Sequence, residues 1–296
     1  MKKLFLLLLL LPLCWACQKP EKSQNIRYQT LDYLEVGKMY PTTKWPYIID
    51  LKNGNKRLVF VGCDHVYGDT THPQFAKIEQ YFKDFKPQIA FNEGGQITKT
   101  YKTRNEAMLK NGETGLLKYC ADKAGIKMMN GDMTDSIEFA LMLKKIPREK
   151  LYLYYVMERI VCPYAMGAYR DKSFDENVKT KIQKWFVAEG FPLAKNEQDY
   201  KYVQKLHLKY LGKPLKYKGE DPLTLEAFDL EAFDYINPNC EFCAIGRVSK
   251  EVRDSVLLSK IEKAFLKHDR VIVTFGGGHA LAVEPALKQL MAKQRK

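Results

Sequence analysis

The chain has 296 residues, 46% of them hydrophobic, with 48 Lys and Arg against 35 Asp and Glu for a formal net charge of +13. That length is enough to bury a large core, as one domain or a domain carrying an insertion. The basic excess comes with no nucleic-acid motif, and much of it is lysine on expected helices, such as Lys201, Lys205 and Lys209. It reads as a solvated face, one that can also meet an anionic membrane surface.

The N-terminus has the make-up of an export signal. Met1-Lys2-Lys3 is basic and Leu4 to Leu13 is apolar, too short for a membrane span, which needs roughly 20 apolar residues. Ala16 directly before Cys17 resembles a bacterial lipoprotein cleavage site, with the lipid carried on Cys17. Residues 1–16 are thus expected to be a signal peptide, 17–29 a flexible tether, and 30–296 the folded domain. The expected location is the bacterial cell envelope, with the chain anchored to a membrane by lipid and facing the periplasm or the cell surface.

Trp45 to Leu51 reads as a strand, and Lys52-Asn53-Gly54-Asn55 as a hairpin turn. The next strand, Leu58-Val59-Phe60-Val61, is continuously apolar and runs into Gly62-Cys63-Asp64-His65. A helix after Thr71-His72-Pro73 sets Phe75, Ile78, Phe82 and Phe85 on one face, with His72 as a cap or surface residue. Pro87 ends it. The strand Gln88-Ile89-Ala90-Phe91 then leads to Asn92-Glu93-Gly94-Gly95, and a strand–helix–strand unit of this kind makes its two strands parallel. Thr103 to about Lys123 reads as a helix broken near Gly112, followed by a short strand, Lys127-Met128-Met129, that ends near Asp132.

From about 135 to 239 the pattern is helical, broken by proline and glycine and rich in Tyr and Lys. It is expected to be an insertion that caps the site edge. Tyr152, Tyr154 and Tyr155 suit packing, whereas His207 and His268, on lysine-rich stretches, are expected to be solvated. Glu251 to His268 reads as a helix with Leu257, Ile261, Ala264 and Phe265 as its apolar stripe and Arg253 near its start. Val271 to Phe275 is a last buried strand, running into Gly276-Gly277-Gly278-His279, and a final helix is expected from about Ala282. Five cysteines follow Cys17. Cys240-Glu241-Phe242-Cys243 fits a structural disulfide or inert thiols, because it lacks both the second half of a zinc site and a thioredoxin-like context.

Two buried strands thus end alike, in Gly-x-x-His. In open parallel sheets, ligands bind beyond the carboxyl ends of the strands. His65, His279 and Glu93 therefore converge in expectation on one edge, where two imidazoles and a carboxylate would leave a metal position open for water. Glu93 could instead act as a general base. Arg253 could hold a carboxylate, polarise a carbonyl oxygen, or form an internal ion pair. Asp64 and Asp132 are second-tier candidates, Asp64 to orient an imidazole and Asp132 as a further strand-end acid. No Gly-x-Ser-x-Gly elbow, phosphate-binding loop or His-Glu-x-x-His motif is present.

The order of these motifs resembles the TraB/GumN (Tiki-like) superfamily, related to erythromycin-esterase and ChaN-like proteins. Gly62 to His65, Glu93, Arg253-Asp254 and Gly276 to His279 carry the likeness, and Asp132 stands where the family commonly has glutamate. The resemblance covers Leu58 to about Asp135 and Val252 to about Leu290. It implies an α/β fold with an EreA/ChaN-like, mostly parallel central sheet and a large helical insertion. It further implies a hydrolase, most plainly a peptidase, that uses a divalent metal (manganese, cobalt or zinc) on a peptide or other small substrate. ChaN-like relatives bind haem, so a non-catalytic haem- or iron-binding lipoprotein is the alternative.

Overall fold

A computed structural model describes residues 28–66, 68–168, 173–215 and 230–294. The expected signal peptide, Cys17 and most of the tether lie outside those residues. The tether ends earlier than expected, because Tyr28 is buried and its hydroxyl donates to Glu262 Oε1 at 2.7 Å.

The fold is α/β, built on a five-stranded, mostly parallel sheet. Strands β1 (Tyr47–Asn53) and β2 (Lys56–Cys63) form the expected antiparallel hairpin, with Asn53 opposite Lys56. Strands β3 (Ile89–Asn92), β4 (Lys127–Asn130) and β5 (Arg270–Gly276) complete the order β1-β2-β5-β3-β4. The two strands of the strand–helix–strand unit run parallel as expected, yet do not touch. The C-terminal strand β5 inserts between them, pairing Cys63 with Gly276 on one side and Asn92 with Thr274 on the other. Four carboxyl ends therefore meet at one edge.

Because side chains alternate along a strand, β5 feeds both faces. Val271, Val273 and Phe275 pack with Leu58, Phe60 and Phe91 beneath α9 (Glu241–Ala264) and α10 (Gly277–Ala292). Ile272 packs with Val59, Val61 and Ala90 beneath α2 (Pro73–Asp84) and α3 (Arg104–Lys123). Each fully buried side chain of this size contributes roughly 1.5–3 kcal/mol. Helix α1 (Tyr33–Met39) rests Tyr33 and Val36 on Leu281 and Ala282 of α10.

A separate aromatic core joins α4 (Asp135–Met142), α5 (Arg148–Val156), α6 (Cys162–Ala165), α7 (Phe174–Lys181) and α8 (Tyr200–Leu211). Tyr152, Tyr154 and Tyr155 are buried in it, in keeping with a packing role. Helix α9 begins at Glu241, ten residues before the expected start, so Arg253 lies in the middle of a 24-residue helix. Its first half buries Phe242 and Ile245 against the aromatic core and its second half buries Leu257 and Ile261 against the sheet. The change of partner breaks the apolar stripe. Cys240 and Cys243 are joined by a disulfide at the start of this helix. His207 is not solvated: it is 2% exposed, with Nδ1 on the Lys213 carbonyl at 2.8 Å.

Candidate functional site

Three strand ends deliver the site. Gly62 lets β2 approach α10, since a Cβ there would stand 2.7 Å from that of Ala280. Beyond β3, Gly94 and Gly95 take φ of +82° and +98°, which glycine adopts at little cost. Their N–H groups donate to Asp132 Oδ2 (2.8 Å) and Asn130 Oδ1 (3.3 Å), tying the β3 and β4 loops together. Strand β5 passes into α10 without a loop. Helix α10 begins at Gly277, earlier than expected, and His279 sits in its first turn.

His65, Glu93 and His279 are brought together. His65 Nε2 stands 3.8 Å from Glu93 Oε2, and His279 Nε2 stands 3.7 Å from Glu93 Oε1. Both contacts are too long for hydrogen bonds. The far side of each imidazole is held by an acid: Glu113 Oε1 at 2.8 Å from His65 Nδ1, and Asp254 Oδ1 at 2.6 Å from His279 Nδ1. An ionised carboxylate only accepts, so each Nδ1 carries the proton. In a neutral ring that leaves the Nε2 lone pair directed at the space beside Glu93. His279 Nε2 is buried with no partner among the described residues.

Glu93 is engaged on both oxygens. Arg253 Nη2 donates to Oε1 and the Gly276 N–H to Oε2, each at 2.5 Å. Burial alone would raise its pKa, but the Arg253 charge, both imidazoles and the Gly276 N–H overcome this and hold it far below the usual carboxylate range. Arg253 also reaches Asp132, with Nε to Oδ1 at 2.8 Å and Nη2 to Oδ2 at 3.0 Å. Burial opposes the guanidinium charge, and Asp132 and Glu93 restore it. Of the roles open to Arg253, the internal ion pair is thus the one its contacts display. Gly276 is tightly placed, because a Cβ would come 3.1 Å from Glu93 Oε2 and from His65 Nε2 and would press on both.

Burial alone would likewise lower the pKa of His65, but the hydrogen bond and charge of Glu113, followed by the charge of Glu93, lift it to about 9. His65 is also the open side of the site, with its side chain 47% exposed against 3% for His279. Tyr33 donates to Asp254 Oδ2 at 2.7 Å and lies 2.9 Å from His279 Nδ1. Burial and the Asp254 charge push the Tyr33 hydroxyl well above its usual pKa, so it remains a donor.

Asp64 does not orient an imidazole. Its backbone N–H is tied to Gln74 Oε1, and its carboxylate faces Tyr40, whose hydroxyl stands 3.4 Å from Oδ1. Asp132 is at the site, bound to Arg253. Sequence reasoning missed Glu113 and Tyr33 and gave Asp254 no role. The Glu113 signal was the break in α3, where Asn111 and Gly112 (φ +52°) leave helical geometry just before it.

In kind, the donors suit a divalent ion: two imidazole nitrogens beside one carboxylate, with a buried Nε2 lacking a partner. As they stand, however, no three or more His, Cys, Asp or Glu side chains among the described residues are grouped so as to hold a metal ion. No protein-family model matches the chain, and neither a curated protein nor a solved structure matches it.

Proposed function

We propose that this chain is a metal-dependent hydrolase of the TraB/GumN (Tiki-like) type, with an EreA/ChaN-like core. It acts on peptides or other small substrates and is held to a membrane of the bacterial cell envelope by lipid on Cys17. The observation that carries the reading is the pair of Gly-x-x-His imidazoles directed at one carboxylate, each backed by an acid at Nδ1. Acid-backed imidazole is the usual form of a metal-binding histidine.

His65 Nε2, His279 Nε2 and Glu93 would hold the ion, whether manganese, cobalt or zinc. When bound, such an ion lowers the pKa of a water and polarises a carbonyl. Glu93 acts as a ligand and not as a base: a general base works best with a pKa near the operating pH, and Arg253 holds Glu93 far below it. Arg253 keeps the carboxylate ionised and fixed, while Asp254 and Tyr33 fix His279. His65, on the exposed side, would have to give up its Nε2 proton to serve as a ligand, since Glu113 and Glu93 favour its protonated form.

The test is hydrolysis of a defined peptide pool, read by mass spectrometry. Cleavage should vanish with chelator and return with Mn²⁺, Co²⁺ or Zn²⁺. A strong visible haem band with no chelator-sensitive cleavage would overturn the hydrolase in favour of the haem-carrying alternative.

A further inference from the structure

Helix α9 carries three basic residues one turn apart, Arg247, Lys250 and Arg253. Residues spaced by three are neighbours along a helix surface. The outer two are committed. Arg253 is bound to Glu93 and Asp132. Arg247 Nη1 donates to the carbonyls of Tyr235 (2.8 Å) and Asn237 (2.9 Å). Lys250, between them, is half-buried, and among the described residues its ammonium has neither a hydrogen bond nor an ion pair. Its neighbour is the Tyr235 ring, with Nζ 4.4 Å from the centroid.

Tyr235 is fixed on three sides. Arg247 holds its carbonyl, its ring stands edge-on to Tyr33 at 5.3 Å, and its hydroxyl rests on Gly278, where a Cβ would come within 2.5 Å. That hydroxyl has no hydrogen-bond partner among the described residues. Both groups border the site. The Tyr235 hydroxyl rests on Gly278, next to His279, and Lys250 stands one helical turn before Arg253, which holds Glu93. The cluster is thus bordered on its α9 and α10 side by an ammonium and a phenol whose donors make no hydrogen bond among the described residues. A half-buried ammonium loses hydration, and the ring face returns only part of that loss. A ligand bearing one negative charge would return the rest.

We infer that Lys250 and Tyr235 form an anion subsite beside the His65–Glu93–His279 cluster, and that the ligand it takes is a peptide with a free carboxylate. A single ammonium assisted by a phenol balances one carboxylate. A phosphate monoester, with nearly two charges, calls for more donors than these. That the carboxylate is a peptide's rests on the hydrolase reading; the preference for a single carboxylate does not.

The experiment is a titration of the chain, with chelator present to prevent turnover, using trialanine and trialanine amide. Binding is followed by the amide ¹H–¹⁵N shifts of Gly276, Gly277, Gly278 and Lys250. Trialanine should bind about tenfold or more tightly than its amide. Lys250→Gln should erase the difference and Lys250→Arg should retain most of it, with resonances remote from the site unchanged in both. Equal binding of the two peptides, no binding of either, or a preference that survives Lys250→Gln would overturn the inference. A carboxylate preference without metal-dependent cleavage would leave the subsite standing and sink the hydrolase alone.

Discussion

Replacing Arg253 with methionine should destabilise the fold, and by more as pH rises. Arg253 is 12% exposed and bridges two carboxylates, Glu93 at 13% and Asp132 at 9%. Methionine keeps part of the apolar stem and removes the cation, leaving buried charge without its partner, a loss of ~3–5 kcal/mol. The pH dependence follows from Glu93. Its folded pKa lies below the unfolded value, so its stabilisation is present above the unfolded pKa, near 4.5, and is lost as pH falls through the lower folded value. Without the guanidinium, the largest charge that offsets burial is gone and the Glu93 pKa rises. The carboxyl then destabilises the variant increasingly as pH climbs above 4.5. Urea unfolding at pH 5 and pH 7.5 measures both effects. With a slope of about 3 kcal/mol per M, the midpoint at pH 7.5 should fall by about 1–1.7 M, and the gap should narrow at pH 5. A loss below about 1 kcal/mol, or an equal loss at both pH values, would refute the account of Arg253 as the cation that balances Glu93.

Glu113→Gln should bring the pKa of His65 in metal-free protein down from about 9, because the hydrogen-bonded charge that raises it is gone; an NMR titration of the imidazole would read this, and an unmoved value would remove Glu113 from the site. Since the folded pKa of His65 lies above its unfolded value, its stabilisation is present below about 6.5 and lost as pH rises toward 9, so the variant should lose that slope. Cys17→Ser should abolish lipid labelling and move the protein to the soluble fraction, since among the described residues no helix is long and apolar enough to cross a membrane. Continued membrane retention of the unlabelled variant would count against a lipid-only anchor.

The strand ends were readable because a buried parallel strand is a short apolar run and its punctuation is glycine. Leu58 to Val61 and Val271 to Phe275 both stand where that pattern puts them, with β5 central in the sheet. What escaped was whatever depends on a helix facing two partners. The first half of α9 packs on one core and its second half on another, so no single apolar stripe marks its length, and Arg253 looked like a helix start. Helix α10 opens on glycines that propensity would exclude from a helix. They are required by contact, as a Cβ at Gly277 would fall 1.8 Å from the Trp45 ring. Glu113 lies on a helix that sequence alone does not orient toward His65, and Asp64, adjacent in sequence, turned away. His207 resembled a surface residue because Lys205 and Lys209 flank it; Phe233 stacks on its ring at 6.4 Å, and the Lys213 carbonyl, six residues on and past the helix end, accepts from the imidazole.

The most direct test of the central claim is the metal content of protein purified without chelator. Elemental analysis should find close to one divalent ion per wild-type chain. His279→Ala should lose it, with folding checked by circular dichroism, because the change leaves the buried Asp254 carboxylate to Tyr33 alone. Glu93→Gln, which keeps the shape and removes the charge, should lose it as well. Full occupancy in His279→Ala, or a wild-type chain that binds none of Mn²⁺, Co²⁺ and Zn²⁺ when they are supplied, would contradict the account.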